Sequence, residues 1–144
     1  MKFAGQFERP VDDKGRLVLP SRLREGLGGQ QTLITDLGDR LAIWPEAEFE
    51  TYVQGLKDAL RGEISGAELN EATGFLWASA QPIRPDGQGR VLIPEDLLTD
   101  EMRGETIWVC GNDRRIDLWT QANWAEHKQR GRGHVTVAIA GYVP

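Results

Sequence analysis

The chain contains the same block twice. Asp12-Asp13-Lys14-Gly15-Arg16-Leu17-Val18-Leu19-Pro20 returns at an offset of 74 as Asp86-Gly87-Gln88-Gly89-Arg90-Val91-Leu92-Ile93-Pro94. Leu41-Ala42-Ile43-Trp44 returns at an offset of 75 as Ile116-Asp117-Leu118-Trp119, and Leu33-Ile34-Thr35 falls opposite Trp108-Val109-Cys110 at the same offset. Matching order at nearly constant spacing marks a tandem repeat, and the slip of one residue fits a loop insertion. Three short strands in about 40 residues are marginal alone. Two copies can close their apolar faces on each other, so the expectation is one pseudo-twofold unit rather than two independent beads.

Each copy reads alike. An extended segment runs into a tight turn at Asp-x-x-Gly-Arg, where Gly15 and Gly89 can supply a positive φ. A short apolar strand follows, Leu17–Leu19 or Val91–Ile93, and Pro20 or Pro94 stops it and can open a short helix. Two further strands are predicted, Thr32–Thr35 with Arg40–Trp44, and Thr106–Cys110 with Arg115–Trp119. They are joined by hairpin turns at Asp36–Asp39 and Gly111–Asp113. Phe49, Tyr52, Val53, Leu56 and Leu60 then mark an amphipathic helix, with Gly62 at or after its end. The acidic Glu46–Glu50 run suits the start of that helix. A second helix is expected from about Ala67 to Leu76, and a third, capped by Thr120, from there to about Lys128. The tail beyond it is left open: Val135 to Ile139 alternates well enough for an extra strand, and disorder fits equally.

A length of 144 residues allows one ordinary domain or two very small ones. The single cysteine, Cys110, cannot form an internal disulfide, so a reducing cytosol is the expected setting, with the thiol buried as a small apolar residue. Neither a signal peptide nor a membrane helix is expected. No metal-ligand spacing, phosphate-cradling glycine loop or nucleophile–base set stands out, so no cofactor, metal or catalytic residue is assigned and an enzyme is the least favoured reading. His127 and His134 read as solvent-exposed, and Trp44 and Trp119 as core.

The net charge of −5 argues against nucleic acid, but it hides local patches. Lys14, Arg16, Arg22 and Arg24 outnumber Asp12 and Asp13, and Lys128, Arg130 and Arg132 stand without an acid among them. Arg16 and Arg90 follow a glycine turn that lifts them from the surface. A guanidinium offers a planar fork of donors that matches guanine O6 and N7 or a phosphate. Lys14 is a flexible point charge suited to phosphate, and Arg22 and Arg24 can extend a phosphate track. Asp12 and Asp86 repel DNA; their expected work is structural, accepting turn N–H groups or fixing the arginine four residues on.

The paired Asp-x-x-Gly-Arg blocks, each followed by three apolar residues and proline, and the Trp-bearing strand before each closing helix resemble the MraZ family. Each repeat resembles a SpoVT-AbrB domain. The resemblance covers roughly 1 to 129 and divides the chain into repeat 1 (5–47), a helical connector (48–76), repeat 2 (77–122) and a C-terminal helix end and tail (123–144). It implies an α+β fold: a pseudo-twofold, swapped-hairpin AbrB-like β-barrel formed by the two repeats with helices outside. It implies a ring-shaped homo-oligomer, octameric or similar, in the cytoplasm and nucleoid. Such a ring would bind short direct repeats of double-stranded DNA upstream of the division and cell-wall gene cluster and regulate it, usually as a repressor. By position, DNA contact falls on Lys14, Arg16 and Arg90. Gln88 stands where the family has lysine, which makes the first turn the expected main reader, and the tail has no counterpart in the family core. An AbrB-like protein-interaction module of antitoxin type is the alternative; such proteins usually carry one repeat, and this chain carries two.

Overall fold

The structure, a computed structural model, describes residues 2–144. Its strands are β1 (Gln6–Pro10), β2 (Arg16–Val18), β3 (Thr32–Asp36), β4 (Leu41–Pro45), β5 (Gln81–Pro82), β6 (Arg90–Leu92), β7 (Thr106–Asn112) and β8 (Arg115–Trp119). Its helices are α1 (Ser21–Leu27), α2 (Glu46–Leu60), α3 (Gly66–Ser79) and α4 (Gln121–Ala140). Six strands form one antiparallel sheet in the order β1-β7-β8-β4-β3-β5, and β2 and β6 form a separate two-stranded ribbon. The fold is therefore α+β. The large sheet is open, with β1 and β5 as its edges, and is not a closed barrel.

The pairing crosses between the repeats. Each repeat keeps its own third and fourth strands together, β3 with β4 and β7 with β8. The first strand of each lies on the other: β1 on β7, β5 on β3. The second strands pair with each other, and β4 with β8 closes the centre. Neither repeat could satisfy its backbone donors alone, because half of its strands have their partners in the other copy.

Alternation along the strands sends side chains to two cores. Leu41 and Ile43 of β4 join the main cluster, with Ile34, Ile107, Ile116 and Leu118. That cluster is roofed by Leu17 and Val91 of the ribbon and by Leu23 and Leu27 of α1. Ala42 and Trp44 point the other way and meet Phe49 and Val53 of α2 and Leu76 of α3. Strand β4 is buried on both faces for this reason. Ser65 caps α3 by accepting from the Glu68 N–H at 3.1 Å, and Thr120 caps α4 by accepting from that of Asn123 at 3.2 Å.

At the centre of the helix-covered face the repeats part company. Ala42 lies opposite Asp117 in the β4–β8 register, and Asp117 is 2% exposed. Its Oδ1 accepts from Arg115 Nε at 2.7 Å; its Oδ2 accepts from Asn112 Nδ2 at 3.0 Å and from Arg40 Nη1 at 3.4 Å. Arg40 and Arg115 occupy matching positions, and each guanidinium lies over the other repeat's tryptophan: Arg40 at 4.2 Å from the Trp119 centroid, Arg115 at 5.4 Å from that of Trp44. One carboxylate thus holds both cations over both indoles.

The C-terminal segment, His127 and the stretch after Pro94 depart from expectation. The segment from Lys128 onward is neither strand nor disordered: α4 continues to Ala140. The Thr120 cap and the anchoring of Trp124 and His127 start the helix, which runs on through Gly131 and Gly133. His127 is half-buried, not free in solvent; its ring stacks on Trp119 at a centroid distance of 4.4 Å. The second repeat also makes only one helical turn after Pro94, with Leu97 and Leu98 N–H groups donating to the Pro94 carbonyl. Smaller shifts are local: the second hairpin turns at Asp113-Arg114, with Asp113 at φ 59°. Cys110 is buried, as expected, and burial pushes its thiol up to about 12.

Two outcomes follow from this arrangement. Asp117→Asn leaves Arg40 and Arg115 without their shared anion inside the protein and should cost about 3 kcal/mol in urea unfolding; a loss under 1 kcal/mol would show that the cluster is not a stability centre. Burial against Trp119, and next the Arg40 guanidinium, hold the His127 imidazole below its ordinary value. A base disfavoured in its charged form when folded keeps its full stabilising effect above the ordinary histidine value of about 6.5 and loses it as pH falls through that value and below. The urea midpoint should therefore drop between pH 7.5 and 5, and His127→Phe should flatten that drop.

Candidate nucleic-acid interface

The two basic turns are built the same way. In the first, the Asp12 N–H donates to the Arg16 carbonyl and the Gly15 N–H to the Asp12 carbonyl, both at 3.0 Å. Asp12 Oδ1 accepts from the Lys14 N–H at 2.9 Å and the Arg16 N–H at 2.8 Å, and Oδ2 accepts from Arg16 Nε at 2.7 Å. In the second, Asp86 Oδ1 accepts from the Gln88 N–H at 2.8 Å and the Arg90 N–H at 3.0 Å, and Oδ2 accepts from Arg90 Nε at 2.9 Å. Each aspartate side chain thus accepts turn N–H groups through Oδ1 and the arginine Nε four residues on through Oδ2. The backbone N–H of Arg16 holds the Asp12 carboxyl below the usual carboxylate range; that of Arg90 does the same for Asp86.

The geometry leaves each arginine presented. Its Nε is committed to the aspartate, which orients the guanidinium, and among the described residues no hydrogen-bond partner occupies the Nη nitrogens of Arg16 or Arg90. Both side chains are nearly half exposed. The ribbon then sets them side by side. Leu17 faces Val91, with both side chains buried; Arg16 faces Leu92 and Val18 faces Arg90, with all four exposed. Arg16 and Arg90 are diagonal neighbours, about 8 Å apart at Cα. Lys14 and Gln88 stand exposed at the two turn tips.

Val18 and Leu92, 45% and 57% exposed, complete this face. In the sequence they read only as members of apolar strands. The signal was present: a three-residue strand with a buried middle residue must turn its flanking residues outward. Apolar groups between two guanidinium forks suit contact with a thymine methyl.

Each turn is braced by the other repeat. The Ile93 N–H donates to the Gly15 carbonyl and the Leu19 N–H to the Gly89 carbonyl, both at 2.9 Å. Leu98 packs over Gly15, where an added Cβ would meet its Cδ2 at 2.9 Å. Arg24 takes the matching place over Gly89, and a Cβ there would collide with its guanidinium. Arg24 is half-buried, and its Nη1 also donates to the Leu19 carbonyl at 3.3 Å. The structure thus places Arg24 beneath the second turn rather than along the open face, while Arg22 is exposed on α1. Arg103, unnoticed in the sequence, donates from Nη1 to the Asp13 carbonyl at 2.7 Å and pairs through Nη2 with Glu95, bracing the first turn from the second repeat.

The family model described as "MraZ protein, putative antitoxin-like" matches residues 2–65 and 76–132. The chain belongs to the MraZ family. The chain is 30% identical over 136 residues to a protein named transcriptional regulator MraZ from Symbiobacterium thermophilum, covering 94% of this chain and 96% of that one. It is 30% identical over 122 residues to the protein of that name from Desulforamulus reducens, covering 85% and 84%. The one from Clostridium tetani is 29% identical over 136 residues, covering 94% of each chain. The match to the MraZ model breaks between 65 and 76, in α3, and stops at 132, inside α4.

The turn glycines stand at φ 89° and 80°, so alanine is strained at either. Gly15→Ala and Gly89→Ala should each lose about 1–2 kcal/mol of stability. Adding Arg24→Ala to Gly89→Ala should recover part of that loss, since the collision goes and the φ cost stays. A double variant less stable than the sum of its parts would show that Arg24 does not press on this turn.

Proposed function

We propose that this protein is a sequence-specific DNA-binding transcriptional regulator, a repressor acting on the division and cell-wall gene cluster through short direct repeats in its own upstream region. The observation that carries this reading is the pair of Asp-oriented arginines, Arg16 and Arg90, held alike on one ribbon face, with no hydrogen-bond partner on their outer nitrogens among the described residues. The names of the relatives, transcriptional regulators all, agree with it. The exchange of β1 and β5 between repeats supports the swapped-hairpin AbrB-like description, with repeat 1 at 5–47, a connector at 48–76, repeat 2 at 77–122 and a C-terminal element at 123–144.

In this reading Arg16 and Arg90 address base edges in the major groove, Val18 and Leu92 lie against thymine methyls, and Lys14 and Arg22 contact phosphates. Arg24 acts from beneath, holding the second turn in shape. Asp12 and Asp86 pre-set the arginine rotamers, so that little side-chain freedom is lost on binding. One chain offers few phosphate contacts, and its overall charge is −5, so a single copy binds weakly. A ring of copies in the cytoplasm and nucleoid repeats the ribbon face around its rim and engages several boxes on one duplex.

Fluorescence anisotropy with a labelled duplex from the gene's own upstream region, against a scrambled duplex, tests this. Wild type should prefer its own region, with affinity falling steeply between low and physiological salt. Arg16→Ala and Arg90→Ala should each weaken specific binding at least tenfold, in keeping with about 1–3 kcal/mol per bidentate base contact. Equal, weak binding to both duplexes would overturn the DNA-reading proposal and turn attention to a protein partner.

A further inference from the structure

Helix α4 is held to the body only at its start. Trp124 and His127 pack on Trp119, Trp124 also approaches Trp108, and Asn123 Nδ2 donates to the Asp39 carbonyl at 3.0 Å. Every residue from Arg132 to Pro144 is exposed. Yet this half carries Val135, Val137 and Ile139, at 55%, 73% and 70% exposure, and Tyr142. Its residues are poor helix formers: Gly131, Gly133, three β-branched aliphatics and Thr136. Such a segment has little helical stability of its own and gains it by packing. The repeat symmetry marks the contrast. Helix α2 follows Trp44 as α4 follows Trp119, and α2 is covered by α3, with Trp77 edge-on to Phe49 at 4.7 Å.

The same chain presents a second uncovered face. Glu68, Glu71, Phe75 and Ala78 follow one another on the outward side of α3 at helical spacing, and Phe75 is 53% exposed. Along α4 from Lys128 onward, Lys128, Arg132, Val135 and Ile139 follow at the same kind of spacing. The two stripes match in order: two charges, then two apolar residues. Between 62 and 80 the chain has Glu63, Glu68 and Glu71 and no lysine or arginine; between 127 and 144 it has Lys128, Arg130 and Arg132 and no acid.

We propose that the stretch of α4 from Lys128 onward docks, parallel, on the outward face of α3 in a second copy of this chain. Lys128 and Arg132 then meet Glu68 and Glu71, while Val135 and Ile139 cover Phe75 and Ala78. Lys128 to Val135 and Glu68 to Phe75 both span seven residues, so one register brings both pairs together. An antiparallel arrangement would set the charges of each helix against the apolar residues of the other. Because the two faces belong to different helices, each chain gives an arm and receives one, either reciprocally within a dimer or head to tail around a ring. The inference rests on the oligomer reading above for its occupant and says which segments make the contact.

Assembly is measured without DNA, by sedimentation velocity over a range of concentrations and salt. The paired change Glu68→Lys and Glu71→Lys should raise the dissociation constant at least tenfold. So should Lys128→Glu with Arg132→Glu, and combining all four should restore assembly. Val135→Glu with Ile139→Glu should dissociate the oligomer in the same way, circular dichroism confirming that each variant is folded. A chain carrying Phe75→Cys mixed with one carrying Val135→Cys should form a disulfide between copies in higher yield than Arg22→Cys mixed with Val135→Cys; Cys110 is buried and does not compete. If wild type assembles and none of these changes shifts it, the arm contact is wrong and the ring reading stands. A wild type that is monomeric throughout overturns both. Should Lys128→Glu with Arg132→Glu leave assembly intact but weaken duplex binding, the arm is a phosphate contact and the docking is overturned.

Discussion

The antiparallel pairing of Arg16–Val18 with Arg90–Leu92 is the contact on which the rest of the molecule turns. It is only three residues long, too short to stand by itself. Its inner pair, Leu17 and Val91, is buried at 1% and 2% exposure in the main core, and that burial holds the ribbon down. Its outer face is thereby fixed as well. With period 2, once Leu17 and Val91 point inward, Arg16, Val18, Arg90 and Leu92 must point outward. Stability and the candidate binding surface are two sides of one short ladder, and a slip of one residue would bury the arginines and expose the core.

The exchange of first strands between repeats explains why the two turns are so alike in shape while differing in sequence. Each turn is an Asp-centred loop that satisfies its own N–H groups, so its form is locally determined. Its position is not: Leu98 and Arg103 hold the first turn, Arg24 the second, and in each case the brace comes from the other repeat. An apolar side chain does in one copy what a guanidinium stem does in the other, since long charged side chains can cover surface with their carbons.

The helix-covered face shows a division of labour that the duplication hides. Ala42 and Asp117 are equivalent positions, and only one carboxylate is present where strict symmetry would place two or none. Two carboxylates facing each other across β4 and β8 would repel; none would leave Arg40 and Arg115 without an anion. The aromatic pairs beside them have diverged too. Phe49 and Tyr52 against Trp44 become Trp124 and His127 against Trp119, which introduces a titratable ring on one side only.

The sequence by itself determined the repeat, the order of strands and helices, the two Asp-x-x-Gly-Arg turns and the residues they present. These follow from local rules: glycine at positive φ, proline as a strand stop, period-2 and period-3.6 patterning, and an aspartate within reach of its own turn. The long path of α4 was not legible, since alternating Val135, Val137 and Ile139 fit a strand pattern as well, and the helix continues from an anchor set at Thr120 and Trp124. Only the tertiary structure decided which strand lies on which, that Val18 and Leu92 share the arginine face, that Arg24 lies beneath the second turn, and that Asp117 serves both repeats. The pairings between the repeats join segments at least 47 residues apart, the shortest being Ile34 with Gln81. Local propensity carries no information about them, because their energy comes from burying and pairing groups that meet only when both repeats fold together.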